Sequence, residues 1–400
     1  MGKKLSMFEF IVLMAFMFSL IAYATDAMLP AFEQIAEDLQ TANVSRVQLI
    51  IATFFMGTGI GQLLAGPLSD TLGRKPVILG GIGIFVAASI WAWLTSSIEM
   101  LLVARFVQGL GISAPRTVGM AMVRDQYSGR QMARVVSFAM MLFVLVPGVA
   151  PLFGQFLMIN FGWRSIFLSC VVLGALVSLW LWTRQEETLG VEKRKSFRWR
   201  VLIDGWYEMR KSKRAMMSMF VLCFAYSLIF AYISSAQQVF VDWLGAGEAF
   251  PLYFGVIAML SGFAGALNAV LVVRLGMWLL STVGMLIVFI CSMGVGGAIW
   301  GGLVPEQMLL SVFVGWSIMM FFVSGLVFTN LNAMAMEPMG HIAGTASALI
   351  GAISTIGSMV LVIPIGQMYN GTGLPLIFGV GFCAGMGFLL NQWNPREADG

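Results

Sequence analysis

Charge is what this sequence has least of. Asp, Glu, Lys and Arg make up 10% of its 400 residues and apolar residues 59%, whereas soluble chains carry about 25% charge. That scarcity excludes a soluble globular protein. There is one histidine, His341, and there are four cysteines, which fall singly in separate apolar runs as Cys170, Cys223, Cys291 and Cys383. Such spacing excludes a disulfide framework and a CxxC metal site, and leaves small residues for helix packing. No HExxH, Gly-x-Ser-x-Gly elbow or Walker A sequence occurs, so the signatures of an intramembrane hydrolase and of an ATP-driven pump are missing. No metal or cofactor is expected.

What the chain does have is length in apolar runs. Mean hydropathy is +0.89, and runs long enough to cross a ~30 Å hydrocarbon core as helices recur from end to end. They predict an all-α polytopic membrane protein with twelve spans, near 7–30, 46–67, 76–96, 98–121, 133–157, 163–183, 215–238, 250–273, 276–300, 306–330, 342–365 and 372–392. The longest polar interruption separates a first six-helix half (1–183) from a second (215–400), with a linker at 184–214 between them. Met1-Gly2-Lys3-Lys4-Leu5-Ser6 imitates a myristoylation signal and Ala22-Tyr23-Ala24 a signal-peptidase site. The run from Phe10 to Tyr23 is long for a signal peptide and reads as a retained span.

Lys and Arg set the orientation. With both termini in the cytoplasm, the basic residues fall in cytoplasmic segments or at their edges. The exceptions are Arg46 and Arg164 outside, and Arg105 and Arg116 within the fourth span. The linker carries ten basic and five acidic residues, a net +5 against +4 for the whole chain. Its runs "EKRKSFRWR" and "RKSKR" flank Trp199, Val201, Leu202 and Trp206, a pattern suited to an amphipathic helix on anionic lipid and not to nucleic acid.

The most specific stretch is "GPLSDTLGRKPV", between spans two and three. Gly66 and Gly73 permit a tight turn, while Asp70 can accept hydrogen bonds from Arg74 and Lys75 or from a helix N-terminus, forming a charge latch. The loop after span eight keeps little of this beyond "VVRLGMW". Span four reads "LLVARFVQGLGISAPRTVGMAMVRD", with Arg105, Gln108, Gly109 and Gly111, and continues into "VRDQYSGRQMARV" with Arg124 beside the latch. Span five reads "LVPGVAPLFGQF", with Gly148, Pro151 and Gly154. Small residues there allow close helix packing and Pro151 a bend.

These stretches resemble the signature loop, fourth-span motif and fifth-span antiporter motif of the major facilitator superfamily, with Ala150 and Gln155 standing where the last of these has glycines. Together with "TDAMLP" in span one, the chain is most similar to twelve-span drug:proton antiporters of the bicyclomycin/chloramphenicol-resistance (Bcr/CflA) type. The specific motifs lie almost wholly in residues 1–160. The resemblance implies a central cavity lined by spans one and four, with substrate near the midplane between the halves.

Asp26 is the residue that needs explaining. A carboxylate at mid-span costs about 2.5–3.5 kcal/mol on insertion scales, yet it sits in "AYATDAMLP" as the only acid deep in a span. Spans one and four run antiparallel, which brings Arg105 to a comparable depth. Burial favours a neutral carboxyl and a nearby guanidinium an ionised one, so moving Arg105 or water relative to Asp26 would load and unload a proton. A static Asp26–Arg105 pair that pins two helices is the alternative. Glu9 lies at the cytoplasmic mouth of span one, and His341 at the surface end of span eleven.

Arg116, three turns beyond Arg105 on the same face, either meets an anionic or dipolar substrate group or pairs with an acid near the inner gate. Tyr23, Tyr226, Tyr232, Gln237, Asn268 and Asn330 complete the polar cavity candidates, and interhelical glue is the other use of such residues. The expected function is proton-coupled export of small, mostly apolar compounds across a bacterial inner membrane by a monomer, with a dedicated exporter of one metabolite as the alternative. Import and enzymatic activity fit the motifs less well.

Overall fold

Once backbone enters lipid, every N–H and C=O must find a partner within its own segment, so spans form helices. The computed structural model describes residues 5–41, 44–194, 196 and 199–396, and among them there is helix and no strand. The first residues of the myristoylation-like pattern and Lys195, Phe197 and Arg198 of the linker lie outside the described residues. Ten of the twelve expected spans appear as separate long apolar helices; the tenth and eleventh are continuous over Glu306–Gln367. That stretch divides at Glu337–Ile342, where Met339 leaves helical geometry, into helices Glu306–Met336 and Ala343–Gln367.

The first span is a helix only over Met7–Asp26. Beyond it the chain passes through a short turn, Leu29–Ala31, around Pro30, and a second helix, Phe32–Asp38. Proline supplies no N–H to continue the ladder, so the helix ends at Asp26, one turn before Pro30. Spans four and five, Ile98–Gln126 and Gly129–Phe161, carry Pro115 and Pro147 with Pro151 inside them.

By contacts, the chain forms two units. The first comprises residues 1–41 and 53–203 and the second 42–52 and 204–400, so the start of span two groups with the second half. There the Gln48 amide donates to Gln238 at the end of span seven. The linker contains a helix, Arg200–Met209, whose buried side includes Gly205 and Met209. Gly205 packs on Thr345 and Leu349 of span eleven, leaving Ile203 and Tyr207 exposed.

One trace of an internal repeat is clearer in the backbone than in the sequence. Spans two and three (Leu49–Leu72, Arg74–Leu94) are joined by Gly73 alone, at φ +106° and ψ 159°. Spans eight and nine (ending at Leu275, starting at Met277) are joined by Gly276 alone, at φ +76° and ψ 158°. Positive φ is the region that glycine enters without a Cβ penalty. Both halves thus use the same turn, although among the described residues only the first surrounds it with ion-paired charges.

Candidate functional site

Asp26 closes the helix of span one and is the only acidic side chain buried among the described residues, at 4% exposure. The last carbonyls of a helix have no intrahelical partner, and here one is used. Arg105, fully buried in span four, donates through Nη1 to the Ala24 carbonyl at 3.1 Å and to Gln108 Oε1 at 2.5 Å. Gln108 in turn donates to Ser89 Oγ of span three at 2.7 Å. The guanidinium also stacks over Phe54 of span two, 4.2 Å from the ring centre, a favourable cation–π geometry. Arg105 therefore reaches the turn of span one that carries Asp26. Among the described residues no ion pair or hydrogen bond joins the two side chains, so the static pair is not formed. Ala24 and Gln108 are the acceptors because the helix end exposes the first and one turn of helix positions the second.

Close helix approach makes this possible. A Cβ on Gly109 would strike the Phe54 carbonyl, and one on Gly111 the Gly81 carbonyl of span three. Gly154 of span five lies against the Ala27 carbonyl so tightly that a Cβ there would collide with it, which sets the fifth-span sequence directly beside Asp26. Gly148 and Pro151 are buried on the same helix. Tyr23 is buried, and its hydroxyl and Ser169 Oγ of span six are 2.5 Å apart.

The loop after span two forms the expected cluster with different members. Arg74 is 8% exposed. Its Nη1 contacts Asp70 Oδ1 at 2.5 Å and Ser69 Oγ at 2.7 Å, and its Nε contacts Asp125 Oδ2 at 3.1 Å. Glu187, beyond span six, accepts from the backbone N–H groups of Arg74 (2.9 Å) and Lys75 (3.1 Å), so a carboxylate caps the N-terminus of span three. Lys75 Nζ donates to the Trp182 carbonyl at 2.7 Å. Arg124 is exposed and among the described residues makes no contact with this cluster; its neighbour Asp125 does, because consecutive helical residues point 100° apart. Gly66 has open space where a Cβ would stand. On the same unit, Glu9 receives Arg184 of span six through two bonds of 2.9 Å.

Asp125, Glu187 and the Glu9–Arg184 pair were missed in the sequence because each partner comes from a distant segment. Asp125 lies in the quoted "VRDQYSGRQMARV", where the sequence places Arg124 beside the latch instead, and the others sit in no distinctive motif. The only signal was an acid at each helix end.

In the second unit the polar candidates mostly serve packing. Asn268 of span eight and Asn330 of span ten bond each other, with Asn330 Nδ2 donating at 2.8 Å. Tyr232 is enclosed by the rings of Phe254, Phe313, Trp316 and Phe321, and Gln237 is buried. Tyr226 is half-buried and receives Asn332 Nδ2 at 3.4 Å. Arg116 is exposed, and among the described residues it makes no ion pair, so the acid partner is not present. No group of side chains among the described residues has the makings of a metal site.

Comparison with known proteins follows the same lines. A family model described as Major Facilitator Superfamily matches residues 11–362. The bicyclomycin resistance protein homolog of Haemophilus influenzae is 28% identical over 96% of this chain and 95% of its own. The chloramphenicol resistance protein of Pseudomonas aeruginosa is 30% identical over 86% of this chain and 83% of its own. Among solved structures, a D-xylose–proton symporter superposes with a TM-score of 0.77 over 96% of this chain and 97% of its own, at 15% identity, a likeness of fold.

Proposed function

The chain belongs to the Major Facilitator Superfamily, and from that premise we propose that it exports small, mostly apolar compounds in exchange for protons, by alternating access, with Asp26 as the proton carrier. The observation that carries this reading is the placement of Asp26: the one buried acid among the described residues, at a helix end, between the Ala24 carbonyl that takes Arg105 and Ala27, which Gly154 touches. A buried acid with no ionic partner is a proton site by default in a membrane span. If proton and drug draw on the same differential free energy between two states, the coupling is antiport.

Bicyclomycin and chloramphenicol resistance in the relatives supports the substrate class. Arg116, exposed on a span, is a contact for a dipolar or anionic group of the cargo, since an arginine without an acid needs water or a ligand. On this reading the protein is a monomer of the bacterial inner membrane; the distribution of Lys and Arg supports placing both termini in the cytoplasm.

The deciding experiment is transport by purified protein in proteoliposomes under an imposed pH gradient. The panel includes chloramphenicol, bicyclomycin and unrelated apolar compounds. Gradient-driven movement of several compounds is expected. Movement of one alone would make this a dedicated exporter, and movement indifferent to the gradient would remove proton coupling altogether.

A further inference from the structure

Three arginines are buried among the described residues: Arg74, Arg105 and Arg214. The first two belong to the latch and the proton site. Arg214, in the first turn of span seven (Lys213–Gln238), belongs to neither. Its side chain is 3% exposed, with Nη2 on Glu337 Oε2 at 2.8 Å and Nη1 donating to the Pro395 carbonyl at 2.7 Å.

Its partners occupy positions that repeat those of Arg74. Asp125 is the penultimate residue of span four (Ile98–Gln126), and Glu337 directly follows span ten (Glu306–Met336). These are the fourth helices of their halves. Glu187 stands three residues past Arg184, the end of span six, and Pro395 three residues past Gln392, the end of span twelve. In each half, therefore, one buried arginine meets the exit of the fourth helix through its guanidinium. It also meets the chain just beyond the sixth, through its backbone N–H in the first half and through its guanidinium in the second.

The difference lies in where the arginine comes from. The turn after span eight keeps its glycine, Gly276, but Arg274 beside it is exposed and makes no ion pair among the described residues. Span seven supplies the cation instead. The tail is secured from the same helix: Asn394 Nδ2 donates to Ser218 Oγ at 2.9 Å. Arg396 lies over Trp278 of span nine at 4.5 Å, and Trp278 donates to the Asn391 carbonyl at 2.9 Å.

We propose that Arg214 is the latch arginine of the second half, a positioning residue that holds the turn between spans ten and eleven and the chain beyond span twelve as one assembly on which transport turnover depends. A buried guanidinium stripped of its carboxylate partner is strongly destabilising locally, so losing either member releases the turn. Arginine's planar fork serves two acceptors at once, whereas lysine's ammonium is a point charge.

The test reads the turn directly. In the full-length, detergent-purified protein, Met339, 3% exposed within Glu337–Ile342, is replaced by cysteine for labelling with a membrane-impermeant maleimide. Cys291→Ser removes the native thiol that is not buried. R214Q and E337Q should each speed labelling at least fivefold, the double variant should be no faster than either single, and R214K should fall between. Should R214Q fail to fold, E337Q carries the test, because its partner remains. Unchanged labelling in E337Q, or effects that multiply in the double variant, would overturn the proposal.

The transport arm rests on the exporter reading, whereas labelling does not, so the two can fail separately. With chloramphenicol as probe, E337Q should lower turnover about tenfold at unchanged KM. A fall in protein yield with normal turnover would mean that Arg214 is a structural residue only, and would also overturn the proposal.

Discussion

Arg105 donates to the Ala24 carbonyl at 3.1 Å, two residues before Asp26, and among the described residues no bond is seen from it to the Asp26 carboxyl. The cation is thus anchored to backbone beside the acid without neutralising it. On the proposed reading, Arg105 would hold the helix end while Asp26 exchanges the proton.

Replacing Asp26 with asparagine keeps the shape and removes the proton. Asp26→Asn should fold and bind substrate as the parent does, and lose transport driven by a pH gradient at least tenfold. Substrate binding by tryptophan fluorescence, set beside uptake in proteoliposomes, checks both halves of this. Undiminished gradient-driven transport would remove Asp26 as the carrier.

Gly154→Ala forces a methyl against the Ala27 carbonyl. Overpacking of this kind costs about 1–3 kcal/mol, and it displaces span five from the turn that holds Asp26. The melting temperature in detergent should fall by several degrees, with transport falling further. Gly109→Ala, against the Phe54 carbonyl, should behave alike.

The two glycines of the loop after span two should part company. Gly73 has φ +106° and lies against Glu187, so Gly73→Ala is expected to cost about 1–3 kcal/mol as left-handed strain. Gly66 has open space around it, and Gly66→Ala should stay within about 0.5 kcal/mol of the parent, as unconstrained substitutions do. Thermal unfolding of both variants measures the difference.

Within the same cluster, Glu187→Gln and Asp125→Asn should loosen the start of span three and slow transport. Arg124→Gln should change neither, since its side chain is exposed and outside the cluster. Hydrogen exchange of residues 73–78 together with transport rates provides the comparison; equal effects of the three substitutions would contradict the assignment.

Glu208, at the end of the linker helix, is held below the usual carboxylate range chiefly by its hydrogen bond from Lys211, at 2.7 Å. A depressed carboxylate contributes stability above its unfolded pKa of about 4.3 and loses it as pH falls through the lower folded value. Amide protection of the helix Arg200–Met209 should therefore be steady from neutral pH down to the carboxylate range and fall below it. In Glu208→Gln that acid-dependent component should be missing.

Much of the architecture was legible because it follows from solvent. Apolar runs of membrane length, one long basic linker and the distribution of Lys and Arg leave few alternatives to twelve helices in two halves, and an acid in such a run stands out at once. The contact of Asp70 with Arg74 was legible too, since the two are neighbours in the chain, whereas Lys75 takes the Trp182 carbonyl. Asp26 and Arg105 could be brought to one depth by counting residues along antiparallel helices.

Depth along a helix, however, does not say which acceptor a side chain takes. Whether Arg105 meets Asp26 or the freed carbonyl of Ala24 depends on where the helix of span one ends and on the rotation of span four, which glycine contacts set at the scale of one methyl group. Asp125 instead of Arg124, and Arg214 with Glu337 and Pro395, are decided in the same way. Their partners lie far apart in sequence and meet only because helix ends from different parts of the chain converge on one patch. Hydropathy determined which segments cross the membrane; only packing decided which charges meet.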